Sequence, residues 1–204
     1  HFEEMTNLSK PLRDKLNTLF EINSVRNHVV QKSKDGTLKI GFKTSDNRDI
    51  EGVMIPSDDR MTACISSQVG CTLSCAFCAT GFLKRERNLD FQEIYDQVVL
   101  LNQQAQLHYQ KPLSNIVYMG MGEPLLNYDE VVKSIRMINS NEGLNIGAKR
   151  ITVSTSGIAR GIRKLADEGL NINLALSLHA ANNDKRNEIM DINKSNPIEL
   201  LIPE

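Results

Sequence analysis

The sequence predicts an α/β fold in which four βα units build a parallel sheet, preceded by one helix and a small antiparallel β-hairpin. From residue 61 onward, apolar stretches of strand length alternate with segments of helical period, the pattern of parallel strands joined by right-handed crossovers. Between residues 25 and 55 the apolar period is two, with turn residues at Asp35-Gly36 and around Asn47. That pattern indicates antiparallel strands.

Length and composition limit the classes of protein to consider. The 204 residues can bury one core beside a small accessory segment, and 40% apolar and 24% charged residues are typical of a globular chain. No apolar run is long enough to cross a bilayer, so no membrane contact is expected. The net charge of −1 does not itself favour nucleic acid, whose binders usually have a basic face. Clustered reduced cysteines without a targeting segment predict the cytoplasm.

The first predicted element is a helix from Leu12 to Phe20, with Ser9 as its N-cap. One face of this helix is apolar and is expected to pack against another part of the protein. Its members are Leu12, Leu16, Leu19 and Phe20.

The antiparallel segment ends in a strand that carries Glu51. From the residue pattern alone, a glutamate on such a strand favours a solvated outward face. The parallel strands follow at 62–66, 115–119, 150–154 and 172–178, and their helices at 90–108, 128–140, 158–168 and 184–190. Ligands in βα folds bind at the carboxyl ends of the strands, so we expect the chemistry there.

All four cysteines lie in one stretch of fifteen residues that begins in the first of these strands: Cys64, Cys71, Cys75 and Cys78. The last three are spaced C-x3-C-x2-C, and three thiolates that close in sequence can surround one soft metal centre. Three ligands are one short of a structural zinc site or a fully cysteine-ligated cluster. A [4Fe–4S] cluster held by three cysteines keeps one iron open for a ligand that is not protein.

Two other interpretations of the cysteines are open. Zinc would need Cys64 or His108 as a fourth ligand, at spacings unusual for a zinc finger. Disulfides are disfavoured because the loop is too tight to pair well and no signal peptide is present. The spacing therefore favours iron–sulfur chemistry.

Polar residues follow the later strands. Met119 to Pro124 contains Gly120 and Gly122, which would let the backbone approach a ligand closely, and the carboxylate of Glu123. Alone this segment would suggest a plain turn. Ser154 is followed by Thr-Ser-Gly, where hydroxyls are commonly helix caps. Ser177, Leu178 and His179 end the last strand, where a single histidine is more often packed and hydrogen-bonded. The basic run Lys84–Arg87 is usually a solvated face, or else a contact for phosphate.

The motifs also carry a resemblance. With Phe77 before its last cysteine, the C-x3-C-x2-C spacing resembles the radical S-adenosylmethionine superfamily. The longer string from Cys64-Ile-Ser-Ser-Gln-Val-Gly-Cys71 through Cys78-Ala-Thr-Gly to Arg87-Asn-Leu is similar to the RNA adenine-C2 methyltransferases of that superfamily. The resemblance covers residues 2–201, nearly the whole chain.

The resemblance implies a partial βα barrel with four of about six units present. It divides the chain into the remnant of an N-terminal helical domain at 1–24, the hairpin at 25–60 and the barrel at 61–204, truncated at both ends. It implies a [4Fe–4S] cluster on three cysteines, S-adenosylmethionine bound by strand-end residues, a resolving cysteine and a carboxylate that accepts a proton. By this resemblance the cluster ligands are Cys71, Cys75 and Cys78, the resolving cysteine is Cys64 and the proton acceptor is Glu51. The residues that bind S-adenosylmethionine are Gly122, Glu123, Ser154, Ser177, Leu178 and His179.

The reaction implied is methylation of carbon 2 of adenosine in 23S rRNA and tRNA. That carbon is too electron-poor to attack a sulfonium methyl, so the family uses a 5′-deoxyadenosyl radical and a methyl carried on a cysteine. The family has the methyl-carrying cysteine far toward the C-terminus, and none follows Cys78 here, so we do not expect full turnover from these residues alone. The expected partners are the two RNAs and a flavodoxin-type or other one-electron reductant, and the expected state is a monomer.

Three rival functions stay open at this stage. The sister group methylates carbon 8 of the same rRNA adenine with shared motifs. A glycyl-radical activase would explain the cluster but not Cys64 or the Ser-Ser-Gln-Val-Gly string. A zinc-stabilised RNA-binding module without catalysis would explain the cysteines only, and it would be colourless.

Overall fold

The computed structural model describes residues 2–202 as a seven-stranded mixed sheet, a two-stranded ribbon and six α-helices. The strands are β1 Val25–Lys32, β2 Leu38–Thr44, β3 Asp49–Pro56, β4 Met61–Cys64, β5 Gln68–Val69, β6 Arg87–Asn88, β7 Asn115–Tyr118, β8 Ile151–Thr155 and β9 Asn173–Leu176. The helices are α1 Lys10–Leu19, α2 Phe91–Tyr109, α3 Tyr128–Asn139, α4 Ala159–Asp167, α5 Asn183–Ile189 and α6 Ile198–Leu201. None of the helices described is both long and apolar enough to cross a membrane.

The large sheet has the order β1-β2-β3-β4-β7-β8-β9. Strands β1 to β4 pair antiparallel, and β4, β7, β8 and β9 pair parallel. The four βα units predicted from the sequence are therefore present. Residues 25–60 form three antiparallel strands, at the three apolar segments predicted from the sequence. They continue the parallel sheet, because a tight turn at Ser57–Arg60 brings Cys64 opposite Val53.

Alternation along the strands determines which face of the sheet meets the core. In β2, Leu38, Ile40 and Phe42 are fully buried, whereas the residues between them are exposed or half-buried. The buried face continues through β4 and β7 and packs on α2 and α3. The opposite face carries Glu51 and Cys64, and it is only partly covered.

Helix α2 begins at a capping box in which Asp90 and Glu93 satisfy each other's backbone N–H groups. Helix α1 differs from the prediction. Ser9 precedes it in extended conformation, but its side chain makes no capping hydrogen bond. Its apolar face stays open, with Leu19 and Phe20 60% and 59% exposed, because within residues 2–202 the helix packs mainly on the short turn Phe2–Glu4. The expectation that this face is buried is wrong for the residues described.

Candidate cofactor site

A cavity of about 240 Å³ lies at the carboxyl ends of β7, β8 and β9, against the cysteine loop. Eight of the predicted site residues line it: Cys71, Cys75, Cys78, Gly122, Glu123, Ser154, Ser177 and His179. The strand ends and the cysteine loop, far apart in sequence, thus meet at one place, as βα topology requires. The cavity is also lined by Phe77, Tyr118 and Ser156, to which sequence reasoning assigned no role in binding a ligand.

The cysteine loop curls around the cavity through its own backbone. The Cys78 N–H donates to the Cys75 carbonyl at 3.0 Å, and the Gly81 N–H donates to the Cys78 carbonyl at 2.9 Å. All four cysteines are free thiols. Burial raises the pKa of Cys71 and of Cys75, and charge repulsion among the loop cysteines adds to the effect. All three loop cysteines line the same cavity.

Within residues 2–202, no three His, Cys, Asp or Glu side chains converge tightly enough to hold a single metal ion. A cubane cluster makes a different demand, because each of its cysteines ligates a different iron and the sulfurs stand apart around the cluster. The two fourth ligands considered for zinc, Cys64 and His108, both lie outside the cavity lining. The donor set therefore fits three cysteines around a cluster better than four ligands around zinc.

Glu123 is the buried acid of the cavity, with 2% of its surface exposed. One carboxylate oxygen accepts from the Leu125 N–H at 3.1 Å and the other from the Ser156 N–H at 2.7 Å, which ties the β7 loop to the β8 loop. Burial raises the pKa of Glu123, and these hydrogen bonds oppose the shift. The side chains of Thr155 and Ser156 also hydrogen-bond to this carboxylate, so the protein already supplies most of its partners.

The ends of β8 and β9 bring two hydroxyls and one ring into the cavity. The Ser154 and Ser177 hydroxyl oxygens lie 3.3 Å apart. His179 adopts a left-handed backbone with φ of 57°, which turns it out of the strand and against the Phe77 ring at 4.1 Å between centroids. The Leu178 side chain is not part of the lining, because the strand ends at Leu176.

Cys64 and Glu51 lie outside this cavity, on the partly covered face of the sheet. Burial raises the pKa of Cys64 to about 11, a hydrogen bond with the Met119 backbone opposes the shift, and the Glu51 charge adds to it. Since Met119 lines the cavity, Cys64 lies directly beside it. The Glu51 carboxylate forms an ion pair with Lys39 at 2.5 Å.

A buried polar network positions the cysteine loop, and sequence reasoning assigned it no role. Gln97 of α2 pairs with both backbone groups of Ser66, at 2.9 and 3.1 Å. The Ser66 hydroxyl donates to the Glu51 carbonyl at 2.6 Å and accepts from the Met121 N–H. Gln68 accepts from the Glu123 N–H at 2.9 Å. The Ser-Ser-Gln string was the sequence signal for this network. In the structure its side chains hold the segment before the cysteines in place.

The two glycines of the β7 loop line the cavity, and a close packing contact that the sequence did not predict also requires them. We predicted that they let the backbone approach a ligand. A Cβ at Gly120 would lie 2.7 Å from the Ile65 carbonyl, and one at Gly122 would lie 2.5 Å from the Gln68 side chain. Gly122 also has a φ of +94°. Packing against the segment before the cysteines explains both positions.

The basic run at residues 84–87 does not offer Arg87 to phosphate. Its guanidinium donates to both oxygens of Asp46, at 2.7 and 2.9 Å, and to both oxygens of Glu93, at 2.7 and 2.8 Å. Arg87 therefore joins the β2–β3 turn to the start of α2. The phosphate contact suggested for it is wrong, because these two carboxylates already occupy its donors.

Fold and cavity together define an α/β protein whose parallel strands end at a cysteine-lined cofactor site. The chain belongs to the radical S-adenosylmethionine (radical SAM) superfamily, whose sequence model matches residues 65–200. The crystal structure of a radical SAM methyltransferase from Sphaerobacter thermophilus superimposes with a TM-score of 0.93 at 42% identity, over 98% of this chain and 59% of that one. The partial barrel and the superfamily expected from the sequence are confirmed.

Curated relatives carry a more specific name. The chain is 60% identical over 200 residues to the "Probable dual-specificity RNA methyltransferase RlmN" of Cytophaga hutchinsonii. This alignment covers 98% of this chain and 55% of that protein. It is 52% identical to the protein of the same name from Christiangramia forsetii, over 97% of this chain and 56% of the relative. The chain spans about half the length of the curated relatives it matches. Membership of the superfamily implies a [4Fe–4S] cluster and S-adenosylmethionine as cofactors.

Proposed function

We propose that this chain is the cluster- and S-adenosylmethionine-binding part of an enzyme that methylates carbon 2 of adenosine in 23S rRNA and tRNA. The observation that carries the proposal is the meeting of three loop cysteines with the ends of three parallel strands at one cavity. The names of the relatives support RNA as the substrate. The carbon-8 sister group shares the motifs, so the product analysis described below decides between carbon 2 and carbon 8.

In this proposal Cys71, Cys75 and Cys78 would hold the [4Fe–4S] cluster in the cavity that they line. When bound, the cluster supplies the single electron that cleaves the sulfonium of S-adenosylmethionine. Glu123 lines the cavity, and its buried carboxylate suits the ammonium group of that cofactor, because such a pair makes a strong charge-assisted hydrogen bond.

The remaining cofactor contacts fall to the ends of β8 and β9 and to the β7 loop. Ser154 and Ser177 offer hydroxyls to the sugar and the amino-acid part, and the rings of Phe77 and His179 close one side of the cavity. Gly122 acts by shaping the loop that presents Glu123. Leu178 acts through its backbone, since its side chain lies outside the lining.

Cys64 and Glu51 supply the acid–base chemistry beside the cavity. The raised pKa of Cys64 keeps this thiol protonated, so it acts as a resolving thiol only after a base takes its proton. Glu51 is the carboxylate electrostatically coupled to it, and we assign it the role of proton acceptor. The methyl-cysteine and 5′-deoxyadenosyl radical of the family belong to the same proposal, as do a flavodoxin-type reductant, a monomeric state and a cytoplasmic location.

Reductive cleavage of S-adenosylmethionine tests the proposal in the chain as it stands. The chain is reconstituted with iron and sulfide without oxygen, and 5′-deoxyadenosine is quantified by liquid chromatography after addition of dithionite. We expect cleavage that Cys75→Ala abolishes and Glu123→Gln weakens about tenfold or more through cofactor binding. The control Glu142→Gln changes an exposed carboxylate and leaves cleavage unchanged. No cleavage by an iron-loaded chain would refute the proposal.

The position of the methyl group needs a separate readout. Product RNA from a form of the protein that includes the methyl-carrying cysteine is digested to nucleosides and analysed by mass spectrometry. We expect 2-methyladenosine. Finding 8-methyladenosine would show that the enzyme methylates carbon 8, as the sister group does, and would leave the cofactor assignments unchanged.

A further inference from the structure

Arg186 is a fully buried cation that the site described above does not use. It is the largest fully buried side chain among the residues described and the one buried residue of α5. Burying a guanidinium is costly unless its charge is compensated. A side chain of this kind in this place therefore calls for a specific partner.

None of the protein groups that Arg186 contacts carries a negative charge. Its nitrogens donate to the carbonyls of Leu178 at 3.0 Å, Ser156 at 2.6 Å and Ser177 at 3.4 Å, and to the side-chain oxygen of Asn193. All of these acceptors are neutral. No ion pair formed within residues 2–202 includes Arg186. Because guanidinium does not deprotonate in proteins, one positive charge is buried here without a counter-charge from the residues that the structure describes.

This charge lies directly behind the cavity. Ser156 and Ser177 line the cavity, and their carbonyls accept from the guanidinium on the far side. The cysteine loop is attached to the same helix, since the Ala76 N–H donates to the carbonyl of Ile189 at 2.9 Å. Burial lowers the pKa of Arg186, and the charge of Cys75 opposes that shift.

We propose that Arg186 is the counter-charge of the iron–sulfur cluster and raises its reduction potential. Three thiolates make the cluster negative, and each electron it accepts adds one more negative charge without a proton. A fixed cation in a dry, low-dielectric setting stabilises the reduced form more than the oxidised form, which makes one-electron reduction easier. Arg186 thus tunes the cluster from behind and touches neither cofactor nor substrate. The inference rests on the cluster-binding function proposed above.

The test is the midpoint potential of the cluster, followed by electron paramagnetic resonance during a dithionite titration of the reconstituted chain without S-adenosylmethionine. Arg186→Gln removes the charge and keeps polar groups. We expect its equilibrium constant for one-electron reduction to fall about tenfold, a shift of about 59 mV to lower potential. Arg186→Lys keeps the charge, so its equilibrium constant for one-electron reduction should stay within about threefold of the wild-type value. Arg163→Gln, which removes an exposed arginine of α4, leaves the potential unchanged.

A second variant leaves Arg186 in place. Asn193→Asp puts a carboxylate against the guanidinium and neutralises its charge at nearly constant shape, so the potential should fall in the same direction as in Arg186→Gln. The proposal would be overturned if both iron-loaded variants had equilibrium constants for one-electron reduction within about threefold of the wild-type value, because a purely structural arginine does not set a potential. A wild-type chain that takes up no iron would overturn this inference together with the proposed function. Equal potentials in iron-loaded variants would leave that function standing.

Discussion

Cys64 permits a quantitative prediction, because its environment fixes how much thiolate it forms. Burial raises its pKa to about 11, and folding therefore favours the protonated thiol. At about pH 8 a thiol with an ordinary pKa of about 8.5 is about one-quarter thiolate, whereas a pKa of about 11 leaves about one part in a thousand. Alkylation requires the thiolate, so the folded chain should react about 250-fold more slowly than the unfolded chain.

The assay uses a variant in which Cys71, Cys75 and Cys78 are serine, so Cys64 is the remaining thiol. Iodoacetamide labelling is followed by mass spectrometry at several pH values, in buffer and in urea. In the folded chain the rate should rise about tenfold per pH unit up to about pH 10, while in urea it levels off above about pH 9. Glu51→Gln removes a charge that raises the pKa, so labelling should become faster.

The sign of the linkage gives an independent check. A thiol whose pKa is raised by folding contributes stability that is present below the unfolded value of about 8.5 and is lost as the pH rises toward about 11. The urea midpoint of the serine variant should therefore be lower at pH 10 than at pH 8. The same variant with Cys64→Ala added should show a smaller drop in midpoint between these two pH values. Folded-state labelling within about tenfold of the urea rate at pH 8 would refute the reasoning.

Three further predictions concern the scaffold, each measured by urea unfolding at pH 7. Arg87→Met leaves the buried Glu93 carboxylate without its cation and should lower the free energy of unfolding by about 3 kcal/mol; a loss under about 1 kcal/mol would contradict the assigned clamp. Gln97→Met leaves one buried N–H and one carbonyl unpaired and should cost about 3 kcal/mol, and an unchanged midpoint would mean that the network is dispensable. Gly122→Ala should cost more than Gly169→Ala, since both have positive φ but nothing lies near the added methyl at the second; equal losses would show that backbone strain alone decides.

The sequence predicted the repeating part of the fold well, because alternation and helical period are local signals. The strand predicted at 115–119 is observed at Asn115–Tyr118, and the helix predicted at 128–140 is observed at Tyr128–Asn139. The last strand is shorter than predicted, since its apolar pattern continues through Leu178 after the backbone has already turned away from the sheet. Local patterns also could not reveal that the antiparallel strands join the parallel sheet, which depends on the pairing of Val53 with Cys64.

Some site residues could be predicted from the sequence, and others depend on packing that no local pattern reveals. Cysteine spacing and the rule of strand ends located the cavity, because topology brings such ends together wherever they lie in sequence. Arg186 could not be assigned, since its burial and its neutral partners depend on how α5 packs behind two strand ends. The open face of α1 escaped prediction for the opposite reason: an apolar stripe indicates that a face can be buried, not what buries it.

Metal content tests the central claim most directly, namely that Cys71, Cys75 and Cys78 hold an iron–sulfur cluster in the cavity. Iron and zinc are measured on protein purified and reconstituted without oxygen, together with its absorption spectrum. The account predicts about four irons per chain and a broad band at about 400 nm, both lost in Cys75→Ala and kept in Cys64→Ala. Stoichiometric zinc in a colourless protein, even after reconstitution, would contradict it.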